Sequence, residues 1–247
     1  MSTLEMLINY FLRIFPGMGL IALTFVLIKP NVYFRTVIYI FTFILMRDAM
    51  TPLGLWTLGK ENGIVWLRMS SDPAFLIAFA VTSLIVVVAL YKFDRENRKY
   101  LIWFRNKKLI GLIFGILGCI VVAAPFLNLY RGIDINDRGG IVNASILLPL
   151  LLFSMFGNLL EECLFRGYAL GVLKNSQNYI VAGLSTGVMF AACHIFLAIT
   201  VTDIGLPILI FTLWEGMIAG LVGSKYGIIP ATITHGGAIF ILSSGLI

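Results

Sequence analysis

Residues 142–171 read VNASILLPLLLFSMFGNLLEECLFRGYALG, an apolar run long enough to cross a bilayer that carries Glu161, Glu162 and Arg166 inside it. A membrane helix needs about 20 predominantly apolar residues. A charge within one is costly unless it is paired or faces water. The rest of the chain repeats the apolar pattern. Of its 247 residues, 60% are hydrophobic and 12% charged, and the mean hydropathy is +0.98. A soluble domain is about a quarter charged. This composition therefore predicts an all-α, polytopic transmembrane helical bundle. Spans are expected near 10–28, 36–57, 74–91, 109–129, 142–171, 179–200, 206–224 and 228–246, about eight in a range of six to eight. No stretch is polar enough for a separate soluble unit, so 1–247 reads as a single membrane domain. Arg13 and Pro16 interrupt the first apolar run, which argues against a cleavable signal peptide.

The net charge of +6 belongs to the loops between spans, where Lys and Arg set orientation, and implies no nucleic-acid partner. The segment KFDRENRKYLIWFRNKK, residues 92–108, concentrates basic residues and is expected on the cytoplasmic side as an ordinary loop. An interfacial amphipathic helix is the alternative, because Tyr100, Leu101, Trp103 and Phe104 interleave with the charges. Lys29, Arg35, Arg166, Lys174 and Lys225 fall on the same side in an eight-span topology with both termini outside. Arg13, Arg47, Lys60, Arg68, Arg131 and Arg138 do not. The pairs Gly111/Gly115, Gly183/Gly187 and Gly216/Gly220 are each spaced four apart on separate spans, a pattern that allows close helix approach. Cys119, Cys163 and Cys193 form no CxxC and read as inert buried thiols.

Ionisable residues inside the spans are candidate functional groups by default. Glu162 and Arg166 are four apart, so they meet on one helix face as a pair. Glu161 lies about 100° around the helix, without an evident partner, and is free to act as a base. Both histidines of the chain, His194 and His235, lie in apolar spans. Glu161 precedes Ser176, the centre of the KNSQN turn, by 15 residues and His194 follows it by 18. In an antiparallel hairpin those positions are nearly level. A carboxylate and two imidazoles can form a hydrolytic site: Glu161 deprotonates water, His194 orients it, and His235 stabilises the oxyanion. The same three groups could instead hold Zn²⁺, although no HExxH is present. A proton-coupled transporter or channel and purely structural polar pairing remain open on the residues alone. Arg47 and Asp48 mark either an early helix end or a pair facing the bundle interior. Glu215 belongs to a substrate groove or pairs with Arg47.

The motifs EECLFRG, FAACH and IIPATITH, in this order, resemble the CAAX protease and bacteriocin-processing family, also called the Abi family, over roughly residues 145–245. Glu161, Glu162 and Arg166 match its EExxxR, Phe190 and His194 its FxxxH, and His235 its last-helix histidine. The resemblance implies an all-helical enzyme that cleaves a peptide or lipidated peptide near the membrane. Its partners would be the bilayer and a membrane peptide or protein substrate, and its location a bacterial plasma membrane. Glu161 and His194 would be the activating pair, His235 the oxyanion group, and Glu162, Arg166 and Phe190 the support. The implied mechanism is glutamate-type with no metal or other cofactor. Ile239 stands where the family's HxxxN motif has Asn, and loss of one oxyanion donor typically costs about 10²–10³ in rate. Asn158 is a candidate substitute donor, with Ser243 and Ser244 as weaker ones. A non-catalytic scaffold, regulator or bacteriocin-immunity protein is the alternative that the Ile239 departure keeps open.

Overall fold

A computed structural model describes residues 3–54, 56–105 and 107–247. Helices α1 (Thr3–Ile28) and α2 (Val32–Met50) form an N-terminal hairpin. They are followed by a two-stranded antiparallel sheet, β1 (Trp56–Glu61) and β2 (Ile64–Met69). Then come α3 (Pro73–Phe93), α4 (Lys108–Leu129), α5 (Ala144–Glu162) and a wide π-helical turn over Cys163–Ala169, closed by the short α6 (Leu170–Leu173). Helices α7 (Tyr179–Ala192), α8 (Leu206–Tyr226) and α9 (Ile228–Ser244) complete the chain. Among the described residues, seven helical spans are long and apolar enough to cross a membrane, and the 17-residue α9 is the shorter eighth. The chain is thus an integral, multi-pass membrane protein. Leu12, Phe15, Val26 and Leu27 of α1 point outward, as lipid-facing side chains do.

The second span ends earlier than expected. Pro52 and the left-handed Gly54 (φ 73°) stop the helix after Met50, and a β-hairpin begins at Trp56 where the sequence pattern predicts helix to 57. Asn62 and Gly63 both have positive φ, 49° and 80°. A tight two-residue hairpin turn requires this.

Helices α7 and α8 cross at the glycine pairs. A Cβ on Gly183 would lie 2.7 Å from Gly220 O, and one on Gly216 2.9 Å from Gly187 O. Lipid offers no hydrophobic drive for helix association, so this close backbone approach supplies the packing. Gly183→Leu is therefore expected to destabilise the bundle by about 1–3 kcal/mol, the usual cost of overpacking, read as earlier thermal unfolding in detergent. Unchanged unfolding would mean that α7 and α8 are not held at this contact.

The two ends of the bundle are distinct. At the basic end, Arg35 pairs with Asp94 at 2.8 Å. The 94–105 segment, a loop with one 3₁₀ turn at Asn97–Tyr100, docks on the α8–α9 junction through Ile228 N to Ile102 O (3.0 Å) and Ile229 N to Trp103 O (3.1 Å). It is not the interfacial helix considered as an alternative. At the other end, Arg68 of β2 donates to Gly140 O and to Leu242 O, each at 2.9 Å, and Val142 N donates to Ser244 O at 3.0 Å. These bonds tie the hairpin, the 130–143 segment and the end of α9 together.

Candidate active site

The acidic pair sits near the end of α5, directly before the π-helical turn. Such turns widen the helix and are frequent at functional sites. Glu162 is fully buried, and its Oε1 accepts two bonds: Arg166 Nη1 at 2.8 Å and His235 Nδ1 at 2.9 Å. Arg166 also donates from Nη2 to Gly216 O at 2.8 Å, which fixes α8 against the pair. So Glu162 does more than neutralise Arg166; it also orients the histidine of α9. That histidine reaches it because Gly236 lets α9 approach α5: a Cβ there would lie 2.6 Å from Ser154 O. The second ring nitrogen of His235, Nε2, faces Glu215 Oε2 at 3.5 Å. Glu215 therefore serves His235, not Arg47.

His194 follows the last turn of α7, where helix carbonyls lack helical partners. Its Nδ1 lies 2.8 Å from Phe190 O. A carbonyl only accepts, so Nδ1 carries the proton. Its Nε2 lies 2.9 Å from Arg47 Nη1, and a guanidinium only donates, so Nε2 presents its lone pair. The ring is neutral and its tautomer is fixed from both sides. Arg47 is itself held by Asp48 Oδ1 at 2.8 Å and Cys193 O at 3.0 Å. Phe190 packs between the groups, with its ring centroid 4.6 Å from that of His194 and 5.2 Å from that of His235, and the Arg166 guanidinium 5.0 Å from its centre.

Glu161 differs from its neighbour. Its Oε2 is buried without a hydrogen-bond partner, and the residue lies on the wall of a cavity of about 140 Å³ together with Asn158, His194, Glu215 and His235. The structure thus gathers Glu161, His194 and His235 around one space and sets Glu162 and Arg166 behind it. Asn158 is on the same wall, with one amide N–H committed to Ser154 O at 2.7 Å. Ile239, one turn after His235, contributes an apolar patch to that wall. Arg47 is the member that the motifs do not mark. It comes from α2, outside the matching motifs, and only its charge inside an apolar span pointed to it.

The three residues considered for Zn²⁺ do not form a ligand set as they are arranged. The His194 lone pair is taken by a cation, and His235 is directed at Glu162 and Glu215. No group of three or more potential ligands converges among the described residues. Cys163 is buried and Cys193 partly buried, and neither lines the cavity.

Residues 143–241 match the family model described as type II CAAX prenyl endopeptidase, Rce1-like. The matched stretch runs from the start of α5 into α9 and holds Glu161, Glu162, Arg166, Phe190, His194, Glu215 and His235. Residues 143–241 belong to the CAAX protease and bacteriocin-processing family. The chain is also similar to CAAX prenyl protease 2 of Methanococcus maripaludis, at 22% identity over 195 residues, covering 76% of this chain and 70% of that protein. That alignment reaches beyond the family core. No solved structure matches. Arg47 and the β-hairpin, which complete the cavity, lie outside the core that the family model covers.

Proposed function

We propose that the chain is a CAAX-type intramembrane endopeptidase in which Glu161 and His194 activate water against a peptide or lipidated-peptide bond. The observation that carries this is the contrast within one dipeptide: Glu162 is bonded twice, whereas Glu161 keeps a buried, unpartnered oxygen on the wall of a cavity that two histidines share. A buried carboxylate oxygen without a partner is costly and is retained where its basicity is used. Glu161 takes a proton from water as the water oxygen adds to the carbonyl carbon. The carbonyl oxygen gains negative charge. The C–N bond then breaks, and the proton passes from Glu161 to the leaving nitrogen. His235 donates to the oxyanion, held in place by Glu162. This scheme uses no metal.

In this scheme Arg47 supplies what Ile239 lacks. When substrate enters, the guanidinium turns from His194 Nε2 to the developing oxyanion, which frees that lone pair to orient water. Arg47→Met is expected to lower kcat by about 10²–10³, as for other oxyanion donors. Addition of Ile239→Asn is expected to restore part of the loss. A merely structural Arg47 would give no such rescue.

The experiment that tests the proposal compares peptide and membrane-protein profiles of cells expressing wild type or Glu161→Gln at matched levels. Fragments present only with wild type support hydrolysis. A wild-type phenotype retained by the variant, with identical profiles, favours the second reading. That reading is a non-catalytic scaffold, regulator or bacteriocin-immunity protein, and it draws support from Ile239 and from the capping of His194 by Arg47.

A further inference from the structure

Two independent features of the molecule bear on how a substrate would reach the cavity. The first is charge. The basic end of the bundle exposes Lys29, Arg95, Arg98, Lys99, Lys107 and Lys225. At the hairpin end, Arg68 and Arg138 are buried on backbone carbonyls, which leaves Lys60 and Arg131 among acids such as Glu61, Asp72, Asp134 and Asp137. Basic loops stay in the cytoplasm, so the hairpin end lies on the opposite side of the membrane.

The second feature is the cavity wall. Beyond the ionisable groups it is lined by helix residues such as Phe79, Phe126, Phe153 and Phe211, and it extends to Trp56, Leu58, Val65 and Leu67 of the hairpin and to Tyr130 and Leu242 at the adjoining helix ends. Among the described residues, the 94–105, 174–178 and 225–229 segments at the basic end contribute nothing to it. The space beside Glu161 therefore leads toward the hairpin. Its aromatic and aliphatic walls suit an extended apolar chain and offer no cationic cluster for an acidic one.

We infer that the cavity is entered from the extracytoplasmic face, past the β-hairpin, and that its substrate is an apolar polypeptide segment presented at the outer leaflet, such as part of an exported or membrane-anchored chain. The cleavage of that segment rests on the hydrolysis proposed above; the direction of entry does not.

The test is thiol labelling with a membrane-impermeant maleimide on the full chain in intact and permeabilised cells, with wild type as the background for the native cysteines. Thr57→Cys, exposed on the hairpin, and Leu58→Cys, on the cavity wall, are expected to label in intact cells. Arg95→Cys, exposed in the basic loop, is expected to label only after permeabilisation. The reverse pattern overturns the inference and leaves the hydrolysis proposal standing. Labelling of Thr57→Cys but not of Leu58→Cys in intact cells also overturns it, because the cavity would then be closed to that face. A second readout maps new N-termini that depend on Glu161. Their confinement to extracytoplasmic or outer-leaflet segments is expected, and their confinement to cytoplasmic proteins would sink the substrate class. Outward labelling without any Glu161-dependent terminus would remove the hydrolysis, and the cleaved substrate with it, while confirming the direction of entry.

Discussion

Glu161→Gln is expected to lower kcat by about 10²–10⁴, the usual contribution of a general base, while leaving the fold intact. The substitution keeps the size of the side chain and removes only its capacity to take a proton. Because Glu161 Oε2 has no partner, no hydrogen bond is broken at that atom and no neighbouring cation is orphaned. Thermal unfolding in detergent should therefore match wild type, and cleavage of the substrates found by profiling should all but vanish. The neighbouring Glu162 cannot be altered so cleanly. That difference makes the Gln variant at 161 the informative one. Full cleavage by this variant would exclude Glu161 as the base and would move attention to Glu215, which shares the cavity wall.

Glu162→Ala is expected to do the opposite, unfolding the bundle before it reports on chemistry. Its carboxylate is the shared acceptor for Arg166 and His235, with all three side chains within 3% of complete burial. Removing one partner of a buried ion pair typically costs about 3–5 kcal/mol, because the remaining charge stays buried and unpaired. Arg166 would keep Gly216 O as its acceptor, but a neutral carbonyl does not balance a guanidinium. The expected readout is a large drop in thermal stability or in folded yield, against no change for Glu161→Gln measured in parallel. Equal stability of the two variants would mean that Glu162 does not hold α5, α8 and α9 together. Adjacent glutamates thus separate chemistry from architecture.

Much of this site was legible because lipid makes charge conspicuous. Glu161, Glu162, Arg166, His194 and His235 stood out as ionisable groups in apolar runs, and helix periodicity alone paired Glu162 with Arg166. The glycine pairs likewise announced close helix contacts before any helix was placed. Asn62-Gly63 is a hairpin signal that sequence reading passed over, since the surrounding WTLGKENGIVWLRM segment follows a long apolar helix and does not alternate strictly. Other features had no local signature. Arg47 lies 147 residues from the histidine it contacts, and Glu215 read equally as part of a substrate groove or as a partner of Arg47 until α8 was set beside α9.

The sequence by itself determined the membrane-spanning class, most span boundaries to within a few residues, apart from the start of α1, both ends of α2 and the end of α7, the basic end and the Glu162–Arg166 pair. Each follows from hydropathy, charge or spacing along one stretch of chain. Only the tertiary structure decided that His235 shares Glu162, that Arg47 caps His194, that Glu215 stands against His235, and that a β-hairpin walls the cavity. Those contacts join residues far apart in the chain. They depend on how closely small residues allow the helices to approach and on which face each helix then presents, which no local pattern encodes.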